Sequence, residues 1–261
     1  MVIDTHSHLD HHRFYADFET VLKKSIDHGV ERWIIPGADP RDLKRALSLS
    51  ESHSGIYFAV GIHPYHRKDW DGNENIFFKY AVHDKNVAIG ECGLDYYRLP
   101  ENEAEKQDEI AKQKELFIKH IRIAKKLKKP LIVHIRDASE DAKKILLDEK
   151  ADEVGGVLHC YNADETLLSL ASHNFYFGIG GVITFANAKK LVNVLPKIPL
   201  NRLVLETDAP YLTPHPHRGE RNEPQYTALV LKKVAELLKQ SAQKMAEIST
   251  ANAKNLFTNL N

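Results

Sequence analysis

Short apolar runs recur along this chain, and a histidine or a carboxylate stands just past many of them. His6 and His8 follow Met1-Val2-Ile3, and Glu91 follows Val87-Ala88-Ile89-Gly90. His134 follows Leu131-Ile132-Val133, His159 follows Gly156-Val157-Leu158, and Asp208 comes soon after Leu203-Val204-Leu205. Polar groups so scattered in sequence, yet placed alike on their runs, predict one shared site. That requirement constrains the fold, because the first and last of these runs must then lie side by side.

Eight β-rich runs are predicted, over residues 2–6, 32–36, 56–61, 87–91, 131–134, 156–159, 176–179 and 203–206. Helical patterns fall at 17–28, 40–52, 104–128, 137–148, 163–172 and 186–195, and two more at 225–239 and 241–256 close the chain. Gly29 marks a helix end and Pro40 suits a first helical turn. Strands alternating with helices imply βαβ units and a parallel sheet. Eight units fit an α/β fold of the (β/α)8 TIM-barrel type, with parallel strands inside and helices outside. An open, doubly wound sheet is the rival, but it would hold its outermost strands far apart. The whole chain, 1–261, is expected to form one barrel domain. The longest irregular stretches, 93–102 and 209–223, are expected to overhang the site.

Charge limits the possible partners. Lys+Arg and Asp+Glu number 36 each, so a protein gripping duplex DNA with its whole surface is not expected, and any nucleic-acid contact must be local. Two cysteines, Cys92 and Cys160, make no disulfide framework. Strand alternation turns both thiols away from the neighbouring site residues and makes them small packed groups. No secretory leader pattern and no apolar run of membrane-spanning length are visible, so a soluble, cytoplasmic, monomeric protein is expected.

The pair His6-x-His8 has the strand period, so both imidazoles face one side and suit one metal ion. Alone this signal is weak in a chain of 15 histidines; its place at the end of the first run strengthens it. Glu91 offers two oxygens that can bridge two cations, and Gly90 and Gly93 beside it permit close backbone approach. His134 and His159, ending successive strands, suit a second ion. Asp208 is placed to bind metal and to accept a proton from water. Glu206, two residues earlier and on the same strand face, orients water or ligands from one layer deeper. The expected metal ligands are therefore His6, His8, Glu91, His134, His159 and Asp208, with Asp208 and Glu206 catalytic. Two divalent ions bridged by a carboxylate stabilise attacking and leaving oxygens and acidify water. No Ser–His–Asp or Cys–His pattern competes. His63, Arg136, Arg218, Arg221 and Asn222 are the candidates to hold a phosphate, arginine forks suiting its oxygens; loop-stabilising hydrogen bonds are the alternative reading for each.

The stretches Ile3-Asp4-Thr5-His6-Ser7-His8-Leu9-Asp10, Gly61-Ile62-His63-Pro64, Ala88-Ile89-Gly90-Glu91-Cys92-Gly93-Leu94-Asp95-Tyr96-Tyr97 and Pro130-Leu131-Ile132-Val133-His134-Ile135-Arg136 resemble the TatD family of metal-dependent deoxyribonucleases. So do Gly155-Gly156-Val157-Leu158-His159-Cys160-Tyr161, Ile179-Gly180-Gly181-Val182-Ile183-Thr184-Phe185, Leu205-Glu206-Thr207-Asp208-Ala209-Pro210-Tyr211-Leu212 and Arg218-Gly219-Glu220-Arg221-Asn222-Glu223-Pro224. The resemblance implies a TIM barrel, the six ligands named above, and Mg²⁺- or Mn²⁺-type dependence. It implies DNA as partner and hydrolysis of phosphodiester bonds from the 3′ end of single strands. After His159-Cys160 that family continues with an aromatic and then Ser/Thr-Gly; here Tyr161-Asn162-Ala163 departs from it, which touches substrate preference. Zn²⁺ stays open for an imidazole-rich site. Amide, lactone or aminoacyl ester hydrolysis on the same centre is the second reading. A non-catalytic binding protein is the third.

Overall fold

The computed structural model describes residues 1–260. Eight strands form one sheet in sequence order: β1 (Val2–Asp4), β2 (Val30–Ile35), β3 (Ile56–Val60), β4 (Asn86–Asp95), β5 (Leu131–Arg136), β6 (Gly156–Leu158), β7 (Phe175–Ile179) and β8 (Leu203–Leu205). Every neighbouring pair from β1 to β8 is parallel. The sheet closes on itself. Thr5 N–H donates to Leu205 O at 3.0 Å, Asp208 N–H to His6 O at 2.9 Å, and His8 N–H to Ala209 O at 2.8 Å. Buried Asp4 pins this seam through side-chain bonds from the Thr207 amide and hydroxyl at 2.9 and 2.6 Å. Burial pushes the Asp4 carboxyl up to about 7.

The helices are α1 (Phe18–Asp27), α2 (Leu43–Ser52), α3 (Asn75–Ala81), α4 (Glu103–Leu127), α5 (Ser139–Asp148), α6 (Lys189–Val194), α7 (Thr227–Leu237) and α8 (Ala242–Leu256). Among the described residues, no helix is long and apolar enough to cross a membrane. Helix α3 was not expected; it has only seven residues, and its apolar stripe is limited to Phe77, Tyr80 and Ala81. The α-helix expected at 163–172 is instead a 3-10 segment, Glu165–His173. In it Ser169 Oγ donates to Thr166 O and Ser172 Oγ to Ser169 O, each three residues back.

Period-two alternation sorts the strands into two apolar layers. Ile34, Tyr57, Ala59, Ile132, Val157, Tyr176 and Val204 pack together with Ala253, Leu256 and Phe257 near the end of the chain. Their neighbours Trp33, Ile35, Phe58, Val60, Leu131, Val133, Leu158, Leu203 and Leu205 belong to a larger cluster with the apolar faces of the surrounding helices. The first set lines the barrel, and α8 with the residues after it plugs one end. Counting onward by two from Ile132, Val157 and Val204 reaches His134, His159 and Glu206. The lining pattern therefore carries three of the polar groups to the opposite, open mouth.

Helix α4 reaches into that mouth from outside. Buried His120 accepts the Ile62 N–H on Nε2 at 3.0 Å, and its Nδ1–H donates to Leu116 O at 2.8 Å. This fixes the backbone beside His63. Burial pushes the His120 imidazole down to about 4, against 6.5 for the ordinary group. As pH falls, the unfolded chain therefore takes up the proton first. The stabilisation is whole above about pH 6.5 and is lost between there and about pH 4, amounting to about 3 kcal/mol in full. His120→Gln is expected to flatten the pH dependence of the urea midpoint across that window; an unchanged slope would remove His120 as its cause.

Candidate metal centre

The polar groups gather around Glu91. Its β4 strand has a bulge between Ile89 and Cys92, which shifts the register against β5, and the carboxylate is almost fully buried. Its two oxygens face different partners. Oε2 lies 3.4 Å from His6 Nε2 and 3.9 Å from His8 Nε2. Oε1 lies 3.2 Å from His134 Nδ1, 3.7 Å from His63 Nε2 and 3.9 Å from His159 Nε2. Asp208 Oδ1 stands across the cluster, 3.4 Å from His8 Nε2, 3.7 Å from His6 Nε2 and 3.8 Å from His159 Nε2. The rings of His6 and His159 stack at 3.4 Å.

The donor set fits divalent cations. Ligands about 2.0–2.1 Å from a tetrahedral ion are themselves roughly 3.3 Å apart, and His6 Nε2 and His8 Nε2 face each other at 3.3 Å. Four sets of three side chains bring donor atoms within 4.8 Å of one another: His6/His159/Asp208, His6/His8/Glu91, Glu91/His134/His159 and His63/Asp95/His134. One imidazole is held from behind by a hydrogen bond, and a second has a carboxylate beside it. His134 Nε2 lies 2.9 Å from Asp95 Oδ2, which assigns its proton there and leaves Nδ1 facing the cluster. His159 Nδ1 lies 3.0 Å from Glu206 Oε1, with Nε2 facing inward. A buried carboxylate behind a metal-facing histidine sets the tautomer and raises its basicity.

The electrostatics show the same demand for positive charge. Burial alone would raise the Glu91 carboxyl, but the imidazoles of His6, His63 and His134 outweigh it and hold it well below the usual range. Asp208 is likewise held low against its burial by His8, His159 and His6. Burial opposes protonation of His159, yet Glu206, Asp208 and Glu91 bring it up to about 10.

Not all site residues sit where strand parity alone would put them. Strand β8 ends at Leu205, and Asp208 has a positive φ of 61°. Glu206 and Asp208 therefore do not share a strand face, contrary to expectation: the chain turns between them. Glu206 is wholly buried, and its Oε1 accepts the Cys160 N–H at 2.6 Å besides flanking His159. Gly178 makes room for it, since an added Cβ would fall 2.2 Å from Glu206 Oε2. His63 lies inside the cluster rather than in the outer loops. Its Nδ1 accepts the Tyr65 N–H at 3.1 Å, so the neutral ring carries its proton on Nε2, toward Glu91. Burial and then His134 press this imidazole down to about 3.

The outer phosphate candidates separate into two kinds. Arg136 is exposed, with its guanidinium 3.6 Å over the Tyr97 ring. Arg218 is exposed too; it lies 3.9 Å over Phe185 and donates to Thr213 O. Arg221 instead pairs with Asp17 at 2.6 Å and Glu223 at 2.8 Å and also donates to Arg13 O. Asn222 is buried, donates to Thr207 O and Tyr211 O, and accepts the Glu223 N–H. These two knit the loop after β8 to the barrel. The thiol of Cys92 is buried in the outer apolar layer, and Cys160 is half-buried with φ 44°. Asp95 and His120 were not anticipated; Gly93, where an added Cβ would fall 2.0 Å from His134 O as β4 runs on beside β5, was the available signal for the first.

A family model described as "TatD related DNase" matches residues 3–258. The chain belongs to the TatD family of metal-dependent hydrolases. It is 41% identical to the "Uncharacterized metal-dependent hydrolase YabD" of Bacillus subtilis, over 98% of this chain and 99% of that protein. It is 34% identical to the "3'-5' ssDNA/RNA exonuclease TatD" of Escherichia coli K12, over 94% of each. The crystal structure of YJJV, a TatD homolog from Escherichia coli K12, superposes with a TM-score of 0.84 at 28% identity, covering 98% of both chains. The TIM barrel of this chain is thus that of a TatD-family structure.

Proposed function

We propose that this protein hydrolyses phosphodiester bonds of DNA, releasing nucleotides from the 3′ end of single strands. The observation that carries the reading is Glu91, whose two oxygens face two different histidine sets with Asp208 opposite. The name borne by the Escherichia coli relative supports the substrate and the polarity. In this reading, His6, His8, Glu91 and Asp208 would hold one divalent ion, and Glu91, His134 and His159 would hold a second. Such ions, when bound, supply Lewis-acid stabilisation of phosphate charge and make water acidic near neutral pH. Asp208 takes a proton from the attacking water as its oxygen bonds to phosphorus and the bond from phosphorus to the 3′ oxygen of the remaining strand breaks; that oxygen leaves as the new 3′ hydroxyl, protonated from Asp208 or solvent, and a nucleoside 5′-monophosphate departs. Glu206 acts through His159, which it orients. The Nε2–H of His63 donates to a phosphate oxygen at the inner edge of the site, and Arg136 and Arg218 approach the phosphate from the rim.

The test is an assay across Mg²⁺, Mn²⁺ and Zn²⁺, with single- and double-stranded DNA labelled at either end and with amide and aminoacyl ester substrates in parallel. Loss of label first from 3′-labelled single strands, stopped by a chelator, is expected. Ester or amide cleavage without DNA cleavage would overturn the phosphodiester reading.

A further inference from the structure

Of ten tyrosines in the chain, four are exposed, and three of those sit just past a side chain of the metal centre. Tyr65 follows His63 by two residues, Tyr97 follows Asp95 by two, and Tyr211 follows Asp208 by three. They are 40%, 57% and 46% exposed. Contact accompanies the sequence proximity. The Tyr65 ring lies 4.9 Å from that of His63, and the Tyr211 ring 5.8 Å from that of His8. The Tyr97 N–H donates to Asp95 Oδ1 at 2.9 Å. The rings therefore stand on both flanks of the mouth, Tyr65 and Tyr97 beside β3 and β4, and Tyr211 beside β8.

Single exposed aromatics are ordinary on protein surfaces. Three of four collected at one mouth, on separate loops, are not accounted for by scatter. Nor does stability explain them, since a ring half in water forgoes much of its burial. Cations attend two of them. The Arg136 guanidinium lies 3.6 Å from the Tyr97 centroid and that of Arg98 5.4 Å from the Tyr65 centroid. Arg218 over Phe185 at 3.9 Å repeats the arrangement after β7. An aromatic face beside an arginine suits a nucleotide, the ring taking the base and the cation the adjoining phosphate.

We infer that Tyr97 with Arg136, together with Tyr65 and Tyr211, form stacking platforms that hold unpaired bases on either side of the metal centre. This rests on the proposed phosphodiester reading and adds the residues that select the strand. A paired base has both faces covered by its neighbours in the duplex; an unpaired one offers a face to the ring. Every base has such a face, so selection by these rings is tolerant of sequence. The charge involved is local, as a chain of zero formal net charge requires.

The test compares two single strands of equal length and charge, one of thymidines and one of abasic residues. Both are phosphorothioate-linked to resist hydrolysis and fluorescently labelled for anisotropy with the metal-loaded protein. The thymidine strand is expected to bind at least about tenfold more tightly, the scale of one base–aromatic stack. Tyr97→Ala is expected to bring that ratio down severalfold, Tyr97→Phe to keep it, and Tyr211→Ala to lower it independently. Equal binding of both strands by the unaltered protein, or a ratio unchanged in Tyr97→Ala and Tyr211→Ala, would overturn the inference. Failure of the functional reading looks different: base-dependent binding that responds to Tyr97→Ala, with no cleavage of the phosphodiester strands, would retain the platforms and remove the nuclease.

Discussion

Asp208→Asn is expected to lower kcat by about a thousandfold or more, a loss of ~4 kcal/mol in transition-state stabilisation. The asparagine matches the carboxylate in shape, so the turn at φ 61° and the backbone bond from Asp208 N–H to His6 O can persist. What disappears is charge and basicity at one oxygen, which stands 3.4–3.8 Å from the imidazole nitrogens of His8, His6 and His159. An amide binds a divalent ion weakly and does not accept the proton of an attacking water. Both losses act on the transition state, so kcat and kcat/KM should fall together. Circular dichroism should report an unaltered fold. Activity within tenfold of the parent protein would remove Asp208 from the chemistry.

Much of the barrel and much of the site could be read from residue order, because both depend on period two. A lining residue such as Ile132, Val157 or Val204 sets the parity of its strand, and His134, His159 and Glu206 inherit it. Parity stops where the strand stops. Strand β8 ends at Leu205, so alternation wrongly placed Glu206 and Asp208 on one face; the chain turns between them. Strand β4 instead runs on past its bulge, still paired with β5 as far as Asp95, and brings that carboxylate to His134. Long-range partners left no local trace. Arg221 reads as a phosphate fork in its loop, yet Asp17, 204 residues away in sequence, pairs with it. His120 lies within a charged helical pattern, and nothing in α4 points to Ile62, 58 residues earlier. The 3-10 winding of Glu165–His173 left no trace in the spacing of its apolar residues, which alone suggested an α-helix.

Glu91→Gln should reveal whether one carboxylate serves two ions. In the parent protein, metal analysis after reconstitution is expected to find two divalent ions per chain. Glutamine keeps one oxygen, but loses the charge that lets both oxygens serve the sets flanking His6/His8 and His134/His159. Replacing even an outer carboxylate behind a ligand weakens metal binding by about 10- to 100-fold. A bridging position should cost more at each ion, leaving at most one retained. His134→Ala, which removes a single imidazole on the Oε1 side, should leave the other ion in place. Stability gives a second readout, because each ion that binds only the folded chain adds ~4 kcal/mol when present at about a thousand times Kd. For a chain of 261 residues that is roughly 10 °C in Tm. A chelator should therefore lower the parent Tm by about twice that amount, the His134→Ala Tm by about one ion's worth, and the Glu91→Gln Tm by one ion's worth at most. Two ions still bound in Glu91→Gln, with the full chelator shift, would mean that the two histidine sets are separate sites and that Glu91 bridges nothing.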